Sequence, residues 1–191
     1  MPTVGLVRHG VTEWNTLGKA QGHANVPLNE EGRKQALALA ERLSQEEPWD
    51  VIITSDLMRA KETAEIIASK LNTPLIEQEW IREINCGDIE GTTEDERVEK
   101  WGENWCDHDL GMEERSDVAI RGNAFLEELA KDHQGKRVLV VSHGAWIGIT
   151  LEHLFPEEYT HALIDNTSLS IIERAGQGWH NPLFNCIKHL S

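Results

Sequence analysis

Three short apolar runs constrain this chain more than any other feature: Thr3-Val4-Gly5-Leu6-Val7, Asp50-Val51-Ile52-Ile53-Thr54 and Val138-Leu139-Val140-Val141. Runs of this length, rich in Val and Ile, read as buried parallel strands. Each leads directly into residues with chemistry to offer. The first is followed by Arg8-His9-Gly10, the second by Ser55-Asp56-Leu57-Met58-Arg59, and the third by Ser142-His143-Gly144. In open α/β sheets, ligands bind at the carboxyl edge of the strands. Two imidazoles and two guanidiniums delivered to that edge describe a site for a dianion, above all a phosphoryl group.

Between the runs the spacing is helical. Asn29 suits an N-cap, Glu30 and Glu31 suit the first turn, and Ala36, Leu39 or Ala40, and Leu43 form an apolar stripe. A second helix is expected from Ser55 or Asp56, with Leu57, Ala60, Ala64, Ile67 and Leu71 on one face and Asn72-Thr73-Pro74 as its stop. A short strand near Leu75-Ile76, a helix over Asp117–His133, another after Gly144, and strands near Leu169–Glu173 and Leu183–Lys188 complete the pattern. Alternating strands and helices predict an α/β fold: a mostly parallel central sheet flanked by helices in three layers. The stretch at about 84–115 is rich in Glu, Asp, Trp and Gly and weakly periodic. It reads as a cap of loops and short helices over the carboxyl edge. A length of 191 residues suits one domain spanning 1–191.

The charge balance narrows the partners. Lys and Arg total 18 against 33 Asp and Glu, a net charge of −15. That disfavours nucleic acid and anionic membrane surfaces, and it marks a local Arg/His cluster as a deliberate positive pocket. No run of about 18 apolar residues suggests a membrane span, and no signal peptide precedes the first strand. Cys86, Cys106 and Cys186 are widely spaced and suggest neither a zinc pair nor a disulfide framework. The expected location is cytoplasmic, and the expected partner is a small phosphorylated metabolite.

The chemistry follows from residue types. A neutral imidazole at His9 is a good nucleophile toward phosphorus near pH 7, provided its other ring nitrogen is held by a hydrogen bond. Gly10 lets the backbone approach a phosphate. Arg8 and Arg59 match phosphoryl oxygens as planar forks. An Arg in the first turn of a helix faces the positive end of the dipole, so Arg59 fits better with an anion beside it. His143 can donate to a non-bridging oxygen. A leaving alkoxide needs a proton, and Glu83, between apolar neighbours, is the best candidate acid. Structural roles for each remain the plain alternatives. The other histidines, including His23, read as surface or packing residues. No clustered ligand spacing supports a metal.

In their order along the chain these segments resemble the histidine phosphatase superfamily, the phosphoglycerate mutase-like proteins. The matching blocks are Leu6-Val7-Arg8-His9-Gly10-Val11-Thr12-Glu13-Trp14-Asn15, Gln21-Gly22 with Pro27–Gly32, Thr54–Ala60 with Thr63-Ala64, Glu83 with Gly87–Gly91, and Val141–Gly144. Asn166-Thr167-Ser168 resembles a further family string. The resemblance implies a phosphohistidine on His9, phosphoryl binding by Arg8, Arg59 and His143, and acid–base work by Glu83. It places Asn15, Gln21, Gly22 and Gly144 around the substrate. It implies no cofactor, metal or organic, for a phosphatase.

Two departures bear on the substrate. Residues 92–109 are acidic and lack the basic insertion with which glycolytic mutases hold phosphoglycerate, so a phosphatase is preferred over a cofactor-dependent mutase. Met112-Glu113-Glu114 stands where the family often has Gly-Glu-Ser. Trp80, Trp101, Trp105 and Trp146 suggest an apolar leaving-group pocket or, more simply, packing. A third reading, a non-catalytic protein that binds phosphorylated ligands, sits poorly with an intact set of catalytic residue types.

Overall fold

The computed structural model describes residues 1–191. In chain order the elements are β1 (Thr3–Arg8), α1 (Glu13–Thr16), α2 (Glu30–Leu43), β2 (Val51–Thr54), α3 (Met58–Leu71), β3 (Leu75–Glu77), α4 (Glu94–Trp101), α5 (Arg115–Asp132), β4 (Arg137–Ser142), α6 (Gly144–Leu154), β5 (Leu169–Ala175) and β6 (Gly178–Cys186). The six strands form one sheet in the order β3-β2-β4-β1-β5-β6. The pairings β3·β2, β2·β4 and β4·β1 are parallel, while β5 and β6 add an antiparallel edge. The sheet is therefore mostly parallel and its helices lie on both faces, as the alternation of elements predicts.

The core explains why the apolar runs are continuous rather than alternating. Along β4, Val138 and Val140 face one cluster with Phe125, Leu126, Leu129, Trp146 and Ile147 from α5 and α6. Leu139 and Val141 face the other, with Leu39, Leu43, Ala60, Ala64 and Ile67 from α2 and α3. A central strand covered on both faces must be apolar at every position. The two clusters are the two halves of a three-layer packing.

Register fixes the site. Arg8 pairs with Ser142 and Thr54 with Val141, so three central strands end level. His9 donates its amide to the Ser142 carbonyl at 3.0 Å and Ser55 to that of Val141 at 3.0 Å. The residues just beyond these ends, His9, Ser55 and His143, are buried side by side.

The helical stripes lie where the spacing puts them. Asn29 caps α2 by accepting from the Gly32 amide at 2.9 Å. Helix α5 starts two residues before the expected Asp117 and β5 runs two residues past Glu173, and two further boundaries differ for a visible reason. Helix α3 begins at Met58, because the Ser55 hydroxyl takes the Leu57 amide and holds Ser55–Leu57 as a turn. The last strand is Gly178–Cys186 rather than 183–188. It forms a hairpin with β5 from the pair Ala175–Gly178, and residues Lys188–Leu190 turn into a short 3₁₀ helix. Pro182 obscures this strand in the sequence, yet β6 is an edge strand, where a missing amide is tolerated.

The stretch after Glu83 folds as 3₁₀ turns at Gly87–Ile89 and Trp105–Asp107 around α4. It is tied to the loop after α1 by Ala20–Thr92 and Gly91–Ala20 backbone hydrogen bonds of 3.0 and 2.8 Å. Its two tryptophans serve packing, Trp105 under Arg97 and Trp101 under Lys100, and Trp146 on α6 is fully buried against Phe125. Trp80 lines a cavity.

Candidate active site

His9 is the first residue past β1 and is almost completely buried. Its Nδ1 lies 2.7 Å from the Gly10 carbonyl, which can only accept, so Nδ1 carries the proton. Nε2 is left with its lone pair, and Nε of Arg59 donates to it at 3.2 Å. Burial pushes the His9 imidazole well below its ordinary value, and the Arg59 and Arg8 charges act in the same direction. The ring is therefore neutral at pH 7.

Gly10 is constrained by its neighbours. A Cβ there would lie 2.5 Å from the Gly32 carbonyl oxygen, so this loop packs directly on α2. The Gly10 amide donates to Thr63 Oγ1 at 3.1 Å, and that hydroxyl donates to the Arg59 carbonyl at 2.7 Å. One threonine on α3 thus ties the nucleophile's loop to the helix that carries Arg59.

Arg59 is wholly buried in the first turn of α3. Its two terminal nitrogens donate to the Ala24 and Gly22 carbonyls, each at 2.8 Å. Burial pulls its guanidinium down to about 10, still charged at neutral pH. Arg8 donates to the Ile164 carbonyl at 2.6 Å, while its buried Nε has no partner. His143 is fully buried beside His9, with ring centroids 5.3 Å apart, and neither of its ring nitrogens has a partner. Burial, then Arg59, keeps its imidazole well below the ordinary value. Unpartnered buried polar atoms cost about 1–3 kcal/mol each, so this concentration of unmet donors marks a place where an anion belongs.

Glu83 reaches the same place from the other side. Its carboxylate accepts from the amides of Ile84 at 3.0 Å, Ala145 at 3.1 Å and Trp146 at 2.9 Å. The last two are first-turn amides of α6, whose N-cap, His143, offers no side-chain cap. Glu83 supplies it across 62 residues of sequence. Gly144 begins α6 against Arg8, and a Cβ there would sit 3.2 Å from Arg8 Nε.

The other expected residues also converge. Gln21 Oε1 accepts from the Thr12 hydroxyl at 2.9 Å, and Asn15 Oδ1 accepts from the Thr12 amide at 3.0 Å. Their carboxamide oxygens are occupied and their NH₂ groups remain as donors. Gly22 adopts φ +47, and a Cβ there would lie 2.9 Å from the Cys86 amide nitrogen.

Three participants go beyond the expected set. Asn166 donates to the His9 carbonyl at 2.9 Å. His23, expected as a surface or packing residue, instead has Nε2 2.8 Å from the Glu83 carbonyl. Arg121, on α5, reaches the same carbonyl at 3.1 Å. Arg82, the residue before Glu83, is bound to Asp56.

A cavity of about 370 Å³ opens from Arg8, Glu83 and Gly144, with Arg115, Glu152 and His161 among its lining. Arg115 and Glu152 pair across it at 2.6 Å. No group of three or more His, Cys, Asp or Glu side chains gathers as a metal centre, and no helix is long and apolar enough to cross a membrane.

Comparison with known proteins gives the family. The model of the histidine phosphatase superfamily (branch 1) matches residues 4–187. A Bacillus subtilis (strain 168) protein named as the uncharacterized phosphatase PhoE is 38% identical over 194 residues, covering 100% of this chain and 98% of that protein. The metal-independent phosphoserine phosphatase of Arabidopsis thaliana is 36% identical over 196 residues, covering 97% of this chain and 82% of that protein. Proteins named as probable phosphoglycerate mutases match as well. Among solved structures, a mutant phosphoserine phosphatase from Entamoeba histolytica in complex with phosphoserine superposes with a TM-score of 0.84 at 29% identity, covering 100% of both chains.

Proposed function

Since the chain belongs to the histidine phosphatase superfamily and is a phosphatase of small phosphorylated metabolites, we propose that it works through a phosphohistidine on His9 and that phosphoserine-like esters are its substrates. The observation that carries this reading is the fixed tautomer of His9: proton on Nδ1, lone pair on Nε2, in a buried neutral ring.

The reaction divides into two displacements. Nε2 of His9 attacks phosphorus, and the bond from phosphorus to the ester oxygen breaks. The Glu83 carboxyl gives its proton to the departing oxygen. Glu83, now ionised, takes a proton from water, and the resulting hydroxide attacks phosphorus. The nitrogen–phosphorus bond breaks, and inorganic phosphate leaves with His9 and Glu83 restored. Arg8, Arg59 and His143 donate to the three equatorial oxygens, where charge is greatest in the transition state. Asn15 and Gln21 add their NH₂ donors, and Gly22 and Gly144 keep the backbone close to the phosphoryl group.

The leaving group lies in the 370 Å³ cavity beside Glu83. Its wall offers Arg115 to a carboxylate and Glu152 to an ammonium group, the two charges of an amino acid. Phosphoserine carries both, and two relatives are named for that activity. The acidic stretch 92–109 offers no second phosphate site for a bisphosphoglycerate cofactor.

Purified protein is assayed on phosphoserine, phosphoethanolamine, 3-phosphoglycerate and p-nitrophenyl phosphate, with a His9→Ala control. The reading expects phosphate release that needs His9 and is fastest on phosphoserine. Undiminished turnover by His9→Ala contradicts the mechanism. Faster turnover of phosphoethanolamine contradicts the role given to Arg115.

A further inference from the structure

Glu83 is held at two levels. Its carboxylate sits on the amides of α6, but its backbone is clamped from α5. Nη1 of Arg121 donates to the carbonyls of Trp80 at 2.8 Å and Arg82 at 2.7 Å, and Nη2 donates to that of Glu83 at 3.1 Å. The same guanidinium pairs with Glu113 through Nε at 2.8 Å and Nη2 at 3.1 Å. Glu113 in turn accepts from the Asn85 amide at 3.0 Å. His23 approaches the Glu83 carbonyl as well, at 2.8 Å. One side chain therefore fixes three carbonyls, that of Trp80 in the 3₁₀ turn Glu79–Ile81 and those of Arg82 and Glu83 in the irregular stretch that follows it.

We propose that Arg121 is the positioning residue of the general acid: together with Glu113 and His23 it sets the place of the Glu83 main chain, so that the carboxyl meets the leaving oxygen. Arg121 does not line the cavity beside Glu83; with His23, Asn85 and Glu113 it borders a second cavity of about 540 Å³. Its proposed route to the chemistry is the Glu83 main chain, and the inference rests on the assignment of Glu83 as the acid. The chemistry requires this precision, because proton transfer demands hydrogen-bond reach and a misplacement of about 1 Å can cost a factor of about 10². It also requires arginine. Lysine offers a single ammonium point and cannot span three carbonyls and a carboxylate with a planar fork. Glu113 occupies the Met112-Glu113-Glu114 stretch that departs from the usual family string, so the clamp survives that departure.

Leaving-group dependence separates positioning from general structural support. The p-nitrophenolate ion departs without a proton, whereas the alkoxide of phosphoserine needs one. The parameter kcat/KM reports the first displacement, where the leaving group departs, and not the hydrolysis of the phosphoenzyme. Arg121→Ala is expected to lower kcat/KM on phosphoserine at least about tenfold more than on p-nitrophenyl phosphate. Arg121→Lys, the safer variant for folding, is expected to lower the ratio in the same direction by less. Glu83→Gln is expected to lower it furthest, and Arg121→Ala added to Glu83→Gln is expected to leave the ratio unchanged. Equal losses on both substrates in Arg121→Ala and Arg121→Lys, or a further fall of the ratio in the double variant, overturn the positioning role while leaving Glu83 as the acid. A Glu83→Gln variant with no leaving-group dependence overturns the acid assignment itself, and this inference with it.

Discussion

Nε of Arg59 stands 3.2 Å from Nε2 of His9, on the nitrogen whose lone pair attacks phosphorus in the proposed reaction. The guanidinium is tethered there by the Gly22 and Ala24 carbonyls, so it sits beside the nucleophile before substrate arrives. Such preorganised charge needs no rearrangement when the transition state forms. Arg59→Lys keeps a cation but cannot hold two carbonyls and face His9 together. A loss of about 10²–10³ in kcat/KM is expected, measured by steady-state kinetics. A loss under about threefold contradicts the role.

Stability depends on pH through the buried imidazoles. Burial, helped by Arg59, keeps His9 and His143 well below 6.5 in the folded state, and burial pulls His189 down to about 4. The unfolded chain binds these protons from about pH 6.5 downward, whereas the folded chain does not. The unfolded state therefore carries more protons in that window. Stability is complete above about pH 6.5 and declines as pH falls toward the folded values. Tm is expected to drop between pH 7 and pH 5, and to drop less in His143→Asn. Equal drops in the two proteins would falsify this account.

Gly22 tests the backbone of the site. At φ +47, and with the Cys86 amide nitrogen 2.9 Å from where a methyl group would stand, alanine is strained and crowded. Gly22→Ala is expected to destabilise by about 1–3 kcal/mol in denaturant unfolding. It also moves a carbonyl that holds Arg59, so activity is expected to fall with it. A variant with unchanged midpoint and unchanged kcat/KM would show that this turn does not set the position of Arg59.

Mutase chemistry makes an opposite demand on residues 92–109. Incubation with 3-phosphoglycerate and 2,3-bisphosphoglycerate, with phosphate and 2-phosphoglycerate followed together, is expected to show no stimulated isomerisation. Stimulation would mean that the acidic stretch holds a second phosphoryl group.

Much of this site is legible in the sequence because it is built from strand ends. Arg8, His9, Arg59 and His143 each follow an apolar run by a few residues, and the parallel register brings those ends level. Glu83 is different. What makes it part of the site is the pair of α6 amides, 62 and 63 residues away, and no local pattern signals such a cap. Its apolar neighbours nominate it, and the resemblance to a family singles it out among 33 acidic residues. His23 and Arg121 escape a reading of the sequence for the same reason, since both act on a main-chain carbonyl, which has no side-chain signature. The start of β6 is hidden by Pro182, because edge position is a property of the sheet and not of the segment.

The central claim is that phosphorus passes through His9, and the stereochemical course tests it most directly. A phosphorothioate monoester made chiral with one oxygen isotope is hydrolysed in water carrying another, and the configuration of the thiophosphate product is determined. Two in-line displacements, onto His9 and then onto water, predict net retention. Net inversion would mean a single direct attack by water and would contradict the phosphohistidine route.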